Sequence, residues 1–255
     1  MAENDMTQVD FGKRRVSPEE KKSLVQDHFN TVAARYDLTN TLLSFGLQHL
    51  WKRKAVFWLG LKAGQRVLDA CGGTADLALL AARAVGPGGR VILYDFNRAM
   101  LSLGQTKVAG AGLRGSIALI QGDVEQIALQ DHSFDAVMVG FGIRNLTSMA
   151  QGLRELYRVL RPGGRLLILE FSQPTHPWFR VLYDLYSFTV MPLVGKIMMG
   201  SWEAYTYLPE SIRLFPAPAE LSGMLRELGF VQVTHQPLSN GIAVVYLAHK
   251  TSPPA

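Results

Sequence analysis

Between residues 66 and 169, short apolar runs alternate with helical stretches, and no other property of the chain restricts its fold as tightly. The runs are Arg66–Asp69, Arg90–Asp95, Ser116–Ile120, Phe134–Val139 and Arg165–Leu169. Each places apolar residues on consecutive positions, as strands covered on both faces do. Between the last two runs, Met149, Leu153, Leu156 and Leu160 recur at spacings of 4, 3 and 4, the period of a helix, which Pro162-Gly163-Gly164 then stops. Repeated strand–helix–strand units predict an α/β fold with a doubly wound, mostly parallel sheet. The end of the chain follows another pattern. Leu221, Met224 and Leu228 mark a helix that Gly229 ends. Phe230–His235 and Ile242–Ala248 flank Ser239-Asn240-Gly241 as a hairpin, so these two strands run antiparallel to each other.

The flanking segments are helical or loose. Residues 1–16 read as a polar tail. Ser17-Pro18-Glu19-Glu20 then starts a helix: Ser17 caps, Pro18 suits the first helical position, and Glu20 completes a capping box. Val25, Phe29, Val32 and Tyr36 continue it at helical spacing, and a second helix covers roughly 47–60. After residue 171 the alternation lapses and aromatics crowd in, with Trp178, Phe179, Tyr183, Tyr186, Phe188, Trp202, Tyr205 and Tyr207. This divides the chain into a tail and helical cap over residues 1–60 and a main domain over 61–255. Within the main domain, 172–215 is an aromatic-rich insertion, expected either to cover a substrate or to pack as plain core.

Composition removes several classes. At 255 residues, 48% hydrophobic and 18% charged, the chain is neither disordered nor a coiled coil, and its core needs no disulfide or metal staple. The single cysteine, Cys71, excludes an intramolecular disulfide and reads as a small buried residue. The six histidines show no pair at i, i+3 or i, i+4, so no metal site is expected. The first 23 residues carry ten charges and no apolar run, unlike a secretory signal. The most apolar stretch, Phe179–Trp202, is interrupted by Arg180, Asp184 and Lys196, unlike a membrane span. A chain residing in the reducing cytoplasm is expected. The net charge of +5 comes without a recognition architecture, so no nucleic-acid partner is expected.

The site lies where open α/β sheets bind ligands, at the carboxyl ends of the strands. The first strand ends in Asp69-Ala70-Cys71-Gly72-Gly73-Thr74-Ala75-Asp76, whose glycine pair lets the backbone approach a ligand closely. This is not the G-x-G-x-x-G dinucleotide fingerprint, so a pyrophosphate ligand is not indicated. Asp95 ends the second strand, where a carboxylate accepts hydrogen bonds from a ribose diol. The third strand leads into Gly122-Asp123-Val124, within reach of an adenine amino group. Three acids at three strand ends would repel a phosphate-bearing cofactor and suit a cationic nucleoside, of which S-adenosylmethionine is the obvious one.

Here the chain resembles a known group. Val67–Ala75 looks like the glycine-rich motif of class I S-adenosylmethionine-dependent methyltransferases, with Cys71 and Ala75 where glycines are commoner. Two longer stretches are more specific. Tyr36-Asp37-Leu38-Thr39-Asn40-Thr41-Leu42-Leu43-Ser44-Phe45-Gly46, continued by Leu50-Trp51-Lys52-Arg53, resembles the first signature of the ubiquinone/menaquinone biosynthesis C-methyltransferases. Arg158–Arg165, running on to Glu170-Phe171-Ser172, resembles their second. Phe141–Asn145, Tyr183–Ser187 and Tyr205–Ile212 also resemble blocks of that family. Thr39 and Gln48 depart from it, standing where the family usually has Met and His.

The resemblance implies a seven-stranded class I methyltransferase (Rossmann-like) sheet with an antiparallel last strand. It implies S-adenosylmethionine as methyl donor, contacting Thr74, Asp95, Asp123, Val124 and Gly140. The strand-end reasoning adds Asp69, Gly72, Gly73 and Phe96. The implied reaction is C-methylation of a prenylated hydroquinone, demethylmenaquinol to menaquinol, and in some members also a polyprenyl methoxy-benzoquinol. Arg144 would stabilise a phenolate, and Asn145 and Tyr36 would orient the hydroxyls. Another acceptor, such as a phospholipid amine, and a non-catalytic adenosylmethionine-binding role stand as alternatives. A greasy acceptor without a spanning helix points to peripheral contact with the inner membrane surface. The basic, aromatic run Trp51-Lys52-Arg53-Lys54 with Phe57-Trp58-Leu59 is the candidate for that contact, beside its reading as a solvated face packed on the core. A homodimer is a further expectation.

Overall fold

The computed structural model describes residues 8–199 and 206–252. Its centre is the predicted sheet. β3 (Arg66–Ala70), β4 (Arg90–Asp95), β5 (Ile117–Gln121), β6 (Phe134–Gly140) and β7 (Leu160–Phe171) run parallel, joined at one edge by β9 (Ala243–Lys250) and β8 (Phe230–Leu238). The order is β5-β4-β3-β6-β7-β9-β8, and β9 is antiparallel to both of its neighbours. The order reverses between β3 and β6, opening the crevice in which such sheets bind ligands.

Consecutive apolar positions explain the layers. Val67, Leu93, Met138, Leu167 and Val245 face one side, where α3 (Leu47–Leu59), α4 (Asp76–Val85) and α5 (Arg98–Gly110) cover them. Leu68, Tyr94, Val137, Ile168 and Tyr246 face the other, under α6 (Met149–Val159) and α10 (Pro218–Glu227). α6 ends where Pro162 was expected to stop it, but the chain enters β7 at once. Leu160 pairs with Phe134, residues 161–164 loop out, and pairing resumes at Arg165 opposite Ala136.

The flanks differ from expectation in four places. The tail is not loose throughout: β1 (Val9–Phe11) and β2 (Arg14–Val16) form a hairpin, and Phe11 stacks on Tyr207 with ring centroids 4.4 Å apart. Residues 1–7 of that tail lie outside the described residues, as do Trp202 and Tyr205. In α1 (Pro18–Val32) the Ser17 hydroxyl accepts from the Glu20 N–H at 3.1 Å. The Glu20 carboxylate, however, accepts from Arg14 instead of closing the capping box. The helix also stops at Val32, so Tyr36 opens a separate helix, α2 (Tyr36–Leu43). The segment after β7 is helical, with α7 (Pro177–Leu185), a wide turn over Tyr186–Val190, α8 (Met191–Met199) and α9 (Tyr207–Leu214). A third apolar cluster, Val32, Leu43, Tyr183 and Met191, packs this segment against α1 and α2.

Leu167 lies at the middle of the sheet with no solvent exposure. Leu167→Ala is expected to lower the unfolding free energy by about 2–5 kcal/mol, read in urea as an earlier midpoint at unchanged slope.

Candidate active site

β3 delivers Asp69 to the crevice and turns through residues 71–75 into α4. The turn is left-handed at Cys71, Gly73 and Ala75, with φ of 53°, 51° and 74°. Gly72 is required by space: a Cβ there would lie 2.8 Å from Leu93 Cγ and 3.0 Å from Asp69 Cγ. Asp69 is wholly buried, and neither carboxylate oxygen completes a hydrogen bond. Burial pushes its carboxyl well above the ordinary range. Asp95 and Asp76 add to the rise, while the Ala78 N–H and Lys52 oppose it.

Asp95 closes the loop from the next strand. Its carboxylate accepts from the Gly73 N–H and the Asn97 N–H, both at 2.8 Å. Burial still lifts it to about 6, against the pull of these hydrogen bonds. Asp123 accepts from the Glu125 N–H at 2.9 Å and pairs with Lys22 of α1. Two adjoining cavities meet here, sharing Phe29, Tyr36, Cys71, Gly73, Gly140 and Phe141. The larger, about 360 Å³, is walled by Asp69, Gly72, Thr74, Arg144 and many apolar side chains. The smaller, about 60 Å³, is walled by Asp95, Phe96, Asp123, Val124 and Asn145. All nine residues predicted for the cofactor, and all three predicted for catalysis, line one cavity or both. Cys71 is half-buried and lines both, rather than lying in the core as expected; burial keeps its thiol protonated.

Arg144 lies in a short turn (Ile143–Asn145) after β6, with Phe141 at φ 57°. Its guanidinium donates to Glu170 Oε1 at 2.8 Å and to Ser211 Oγ at 3.3 Å, and it lies 5.4 Å from the Phe171 ring centroid. Glu170, at the end of β7, is wholly buried. Burial raises its carboxyl, and Arg144 pulls it partly back. Asn145 Oδ1 accepts from the Tyr207 hydroxyl at 3.0 Å. Burial pushes the Tyr36 and Tyr207 phenols up to about 12. His28 of α1 also faces the larger cavity; burial, then the Arg144 charge, lower it to about 4, so it is neutral at pH 7.

A polar network ties the N-terminal helices to the glycine turn. The Thr74 hydroxyl donates to Asp37 at 2.7 Å. The Lys107 ammonium reaches Asp37 and Asp76, each at 2.6 Å, and Thr74 at 3.1 Å. Lys52 donates to Asp76 at 2.8 Å and to Gln48 at 2.9 Å. Gln48 in turn donates to Thr41, so the departure from the usual His serves a buried bridge, while exposed His49 meets Thr41 from outside. Trp51 and Lys52 therefore point inward, and only Arg53, Lys54 and Phe57 of the expected basic face are exposed. Sequence reasoning missed Glu170, Lys107, Asp76 and His28 as parts of the site. Glu170 fell inside a recognised motif, but only the fold reveals its partner.

Comparison with known proteins decides the family. The model of the ubiE/COQ5 methyltransferase family matches residues 15–250. This chain belongs to the ubiE/COQ5 methyltransferase family. It is similar to the Ubiquinone/menaquinone biosynthesis C-methyltransferase UbiE of Pseudoalteromonas translucida, 42% identical over 250 residues, covering 98% of this chain and 100% of that one. It is likewise similar to the protein of the same name from Pseudomonas putida, 44% identical over 236 residues, covering 92% of each. Among solved structures, a SAM-dependent methyltransferase from Thermotoga maritima, described as a possible histamine N-methyltransferase, superposes with a TM-score of 0.63. Their identity is 18%, over 89% of this chain and 100% of that one. For this ubiE/COQ5 chain the methyl donor is S-adenosylmethionine, and its residues fit the ligand: an unpaired buried carboxyl faces the cavity, and a glycine turn leaves no room for side chains. Among the described residues, no group of three His, Cys, Asp or Glu is arranged to hold a metal.

Two outcomes follow. Ionised Asp95 is the stronger acceptor for a diol, so with Asp95 on the ribose, as expected from the sequence, adenosylmethionine affinity should weaken as the pH falls through about 6, measured by calorimetry across pH. Glu170→Gln leaves Arg144 buried without its anion and should lower stability by about 3–5 kcal/mol in chemical denaturation.

Proposed function

We propose that this chain methylates a ring carbon of demethylmenaquinol to give menaquinol, with a polyprenyl methoxy-benzoquinol as a second acceptor. The reaction class rests on family membership: S-adenosylmethionine-dependent C-methylation in quinone biosynthesis. The observation that carries the acceptor is a buried guanidinium, Arg144, in the wall of the larger, mostly apolar cavity, which also carries Asp69, Gly72, Gly73, Thr74 and Gly140 of the expected donor site. Asp69, Asp95, Asp123 and the Gly72-Gly73 turn would hold the donor, with Thr74, Phe96, Val124 and Gly140 completing its walls. The bound donor supplies a methyl group on a sulfonium, whose departure leaves a neutral thioether.

The residues of this chain must make the acceptor carbon nucleophilic. A phenol of ordinary pKa near 10 costs about 4 kcal/mol to ionise at pH 7. Arg144 stays protonated, so it acts by holding the phenolate oxygen or the water that takes the phenolic proton, and the ring hydrogen that the methyl group replaces also leaves as a proton to water. Glu170, Ser211 and Phe171 fix the guanidinium. Asn145, itself held by Tyr207, and Tyr36 orient the two ring hydroxyls. Phe29, Val32, Leu43, Phe179, Tyr183 and Met191 give the ring and prenyl chain a dry wall, which keeps the electrostatic interaction strong. We assign residues 1–60 as the cap and 172–215 as the insertion that together enclose this acceptor. No helix of the described residues is long and apolar enough to cross a membrane. The chain would work from the cytoplasm at the inner membrane surface, where such acceptors reside.

Incubation with labelled methyl donor and each demethylated quinol should yield a C-methylated naphthoquinol, identified by mass spectrometry. Arg144→Ala should leave donor affinity intact and lower turnover by about 10² or more. Near-normal turnover in that variant would remove Arg144 from the chemistry.

A further inference from the structure

The mouth of the larger cavity carries an apolar surface that the reaction itself does not use. In α7, Trp178, Val181, Leu182 and Leu185 share one helical face, and it points outward: Trp178 is 66% exposed, Val181 69% and Leu185 62%. The opposite face of the same helix buries Tyr183 in the third cluster. An outward helix face on a soluble domain is ordinarily polar. Leu38 and Leu42 on α2 and Phe45 in the following turn are also exposed, Phe45 by 79%. The two sets are stitched together. The Tyr186 hydroxyl donates to the Leu43 carbonyl at 2.9 Å, the Phe45 and Tyr186 rings lie 5.9 Å apart, and both Phe45 and Leu182 line the cavity. Exposed apolar groups in this arrangement form a contiguous rim rather than a scatter, and such a patch marks a contact surface.

Its charge indicates what it touches. Residues 38–61 contain no Asp or Glu and present Arg53 and Lys54 outward. Residues 172–199 contain a single acid, Asp184, which pairs with Arg213, and they present Arg180 and Lys196. A second copy docked through the same face would set these cations against one another. An anionic lipid surface would instead attract them while taking the aromatic and aliphatic side chains among its acyl chains.

Building on the prenylated acceptor above, we propose that the rim formed by α2, the turn at Phe45 and α7 docks on a bilayer surface carrying anionic phospholipid, so that the cavity opens directly into the leaflet holding the acceptor's prenyl chain. The exposed cations of α3, which follows Phe45 in the chain, and of the segment that holds α7 steer the approach, and Trp178, Val181 and Leu185 insert.

Sedimentation with vesicles of phosphatidylglycerol in phosphatidylcholine, against phosphatidylcholine alone, tests this over a range of salt. The wild-type chain should bind the anionic vesicles at low salt and lose them as salt rises. The double variant Trp178→Glu, Leu185→Glu changes exposed residues that do not line the cavity. It should keep its melting curve and its turnover on a short-chain, water-soluble quinol, yet bind anionic vesicles at least about tenfold more weakly. Arg53→Glu and Lys54→Glu should each weaken binding about fivefold or more at low salt. Absence of wild-type binding, or equal binding by the double variant, overturns the proposal. So does a wild-type dimer that the double variant splits while neither binds vesicles, which would give the face to a second copy. The binding assay contains no acceptor. Intact vesicle binding without quinol methylation therefore sinks the acceptor and leaves the surface standing, and full turnover on long-chain quinol without vesicle binding sinks the surface alone.

Discussion

Glu170 lies at the end of β7 with no solvent contact, and its charge is tolerable there because the Arg144 guanidinium donates to it at 2.8 Å. Burying two ions costs several kcal/mol each, and only close geometry with further hydrogen bonds offsets this. The chain supplies those bonds from three places: the Phe171 N–H, the Arg144 N–H and the Ser211 hydroxyl. The pair thus joins the end of β7, the turn after β6 and α9. It also holds the guanidinium proposed to meet the acceptor in the wall of the larger cavity, with Glu170 as its counter-ion.

The cofactor side uses the opposite arrangement. Asp69, Asp95 and Asp123 approach from three strands, Lys22 of α1 pairs with Asp123, and further cations meet the carboxylates beside the glycine turn. Lys107 on α5 meets Asp37, Asp76 and Thr74, while Lys52 on α3 meets Asp76. These contacts fasten α2 and α3 to the glycine turn and connect the first signature of the family to the cofactor loop. Conformational strain at Cys71 and Ala75, both non-glycine residues at positive φ, is carried by the same loop, which the network holds in place.

How much of this the sequence disclosed follows from the range of each interaction. The sheet was legible because consecutive apolar residues such as Val67-Leu68 and Leu166-Leu167 face two different layers, which forces an uninterrupted apolar run. The placement of Asp95 and Asp123 beside the crevice was legible because both follow the carboxyl ends of strands, and both line the smaller cavity. The N-terminal hairpin was not legible: each strand has three residues, and Phe11 finds its stacking partner Tyr207 far along the chain. Lys52 was read as part of an outward basic run because charges in a run are usually solvated. Asp76, supplied by α4, turns it inward. The capping role of Ser17 was local and held. The expected reciprocal arm of Glu20 failed because Arg14, fixed by the hairpin, competes for the carboxylate.

Asp69 changes its proton affinity with whatever faces it. Burial and the neighbouring Asp95 and Asp76 favour the neutral acid, whereas a cation set against it favours the anion. With the donor's sulfonium seated against Asp69, as proposed, loading would release a hydrogen ion into the buffer, and the heat of association recorded by a calorimeter would depend on which buffer receives it.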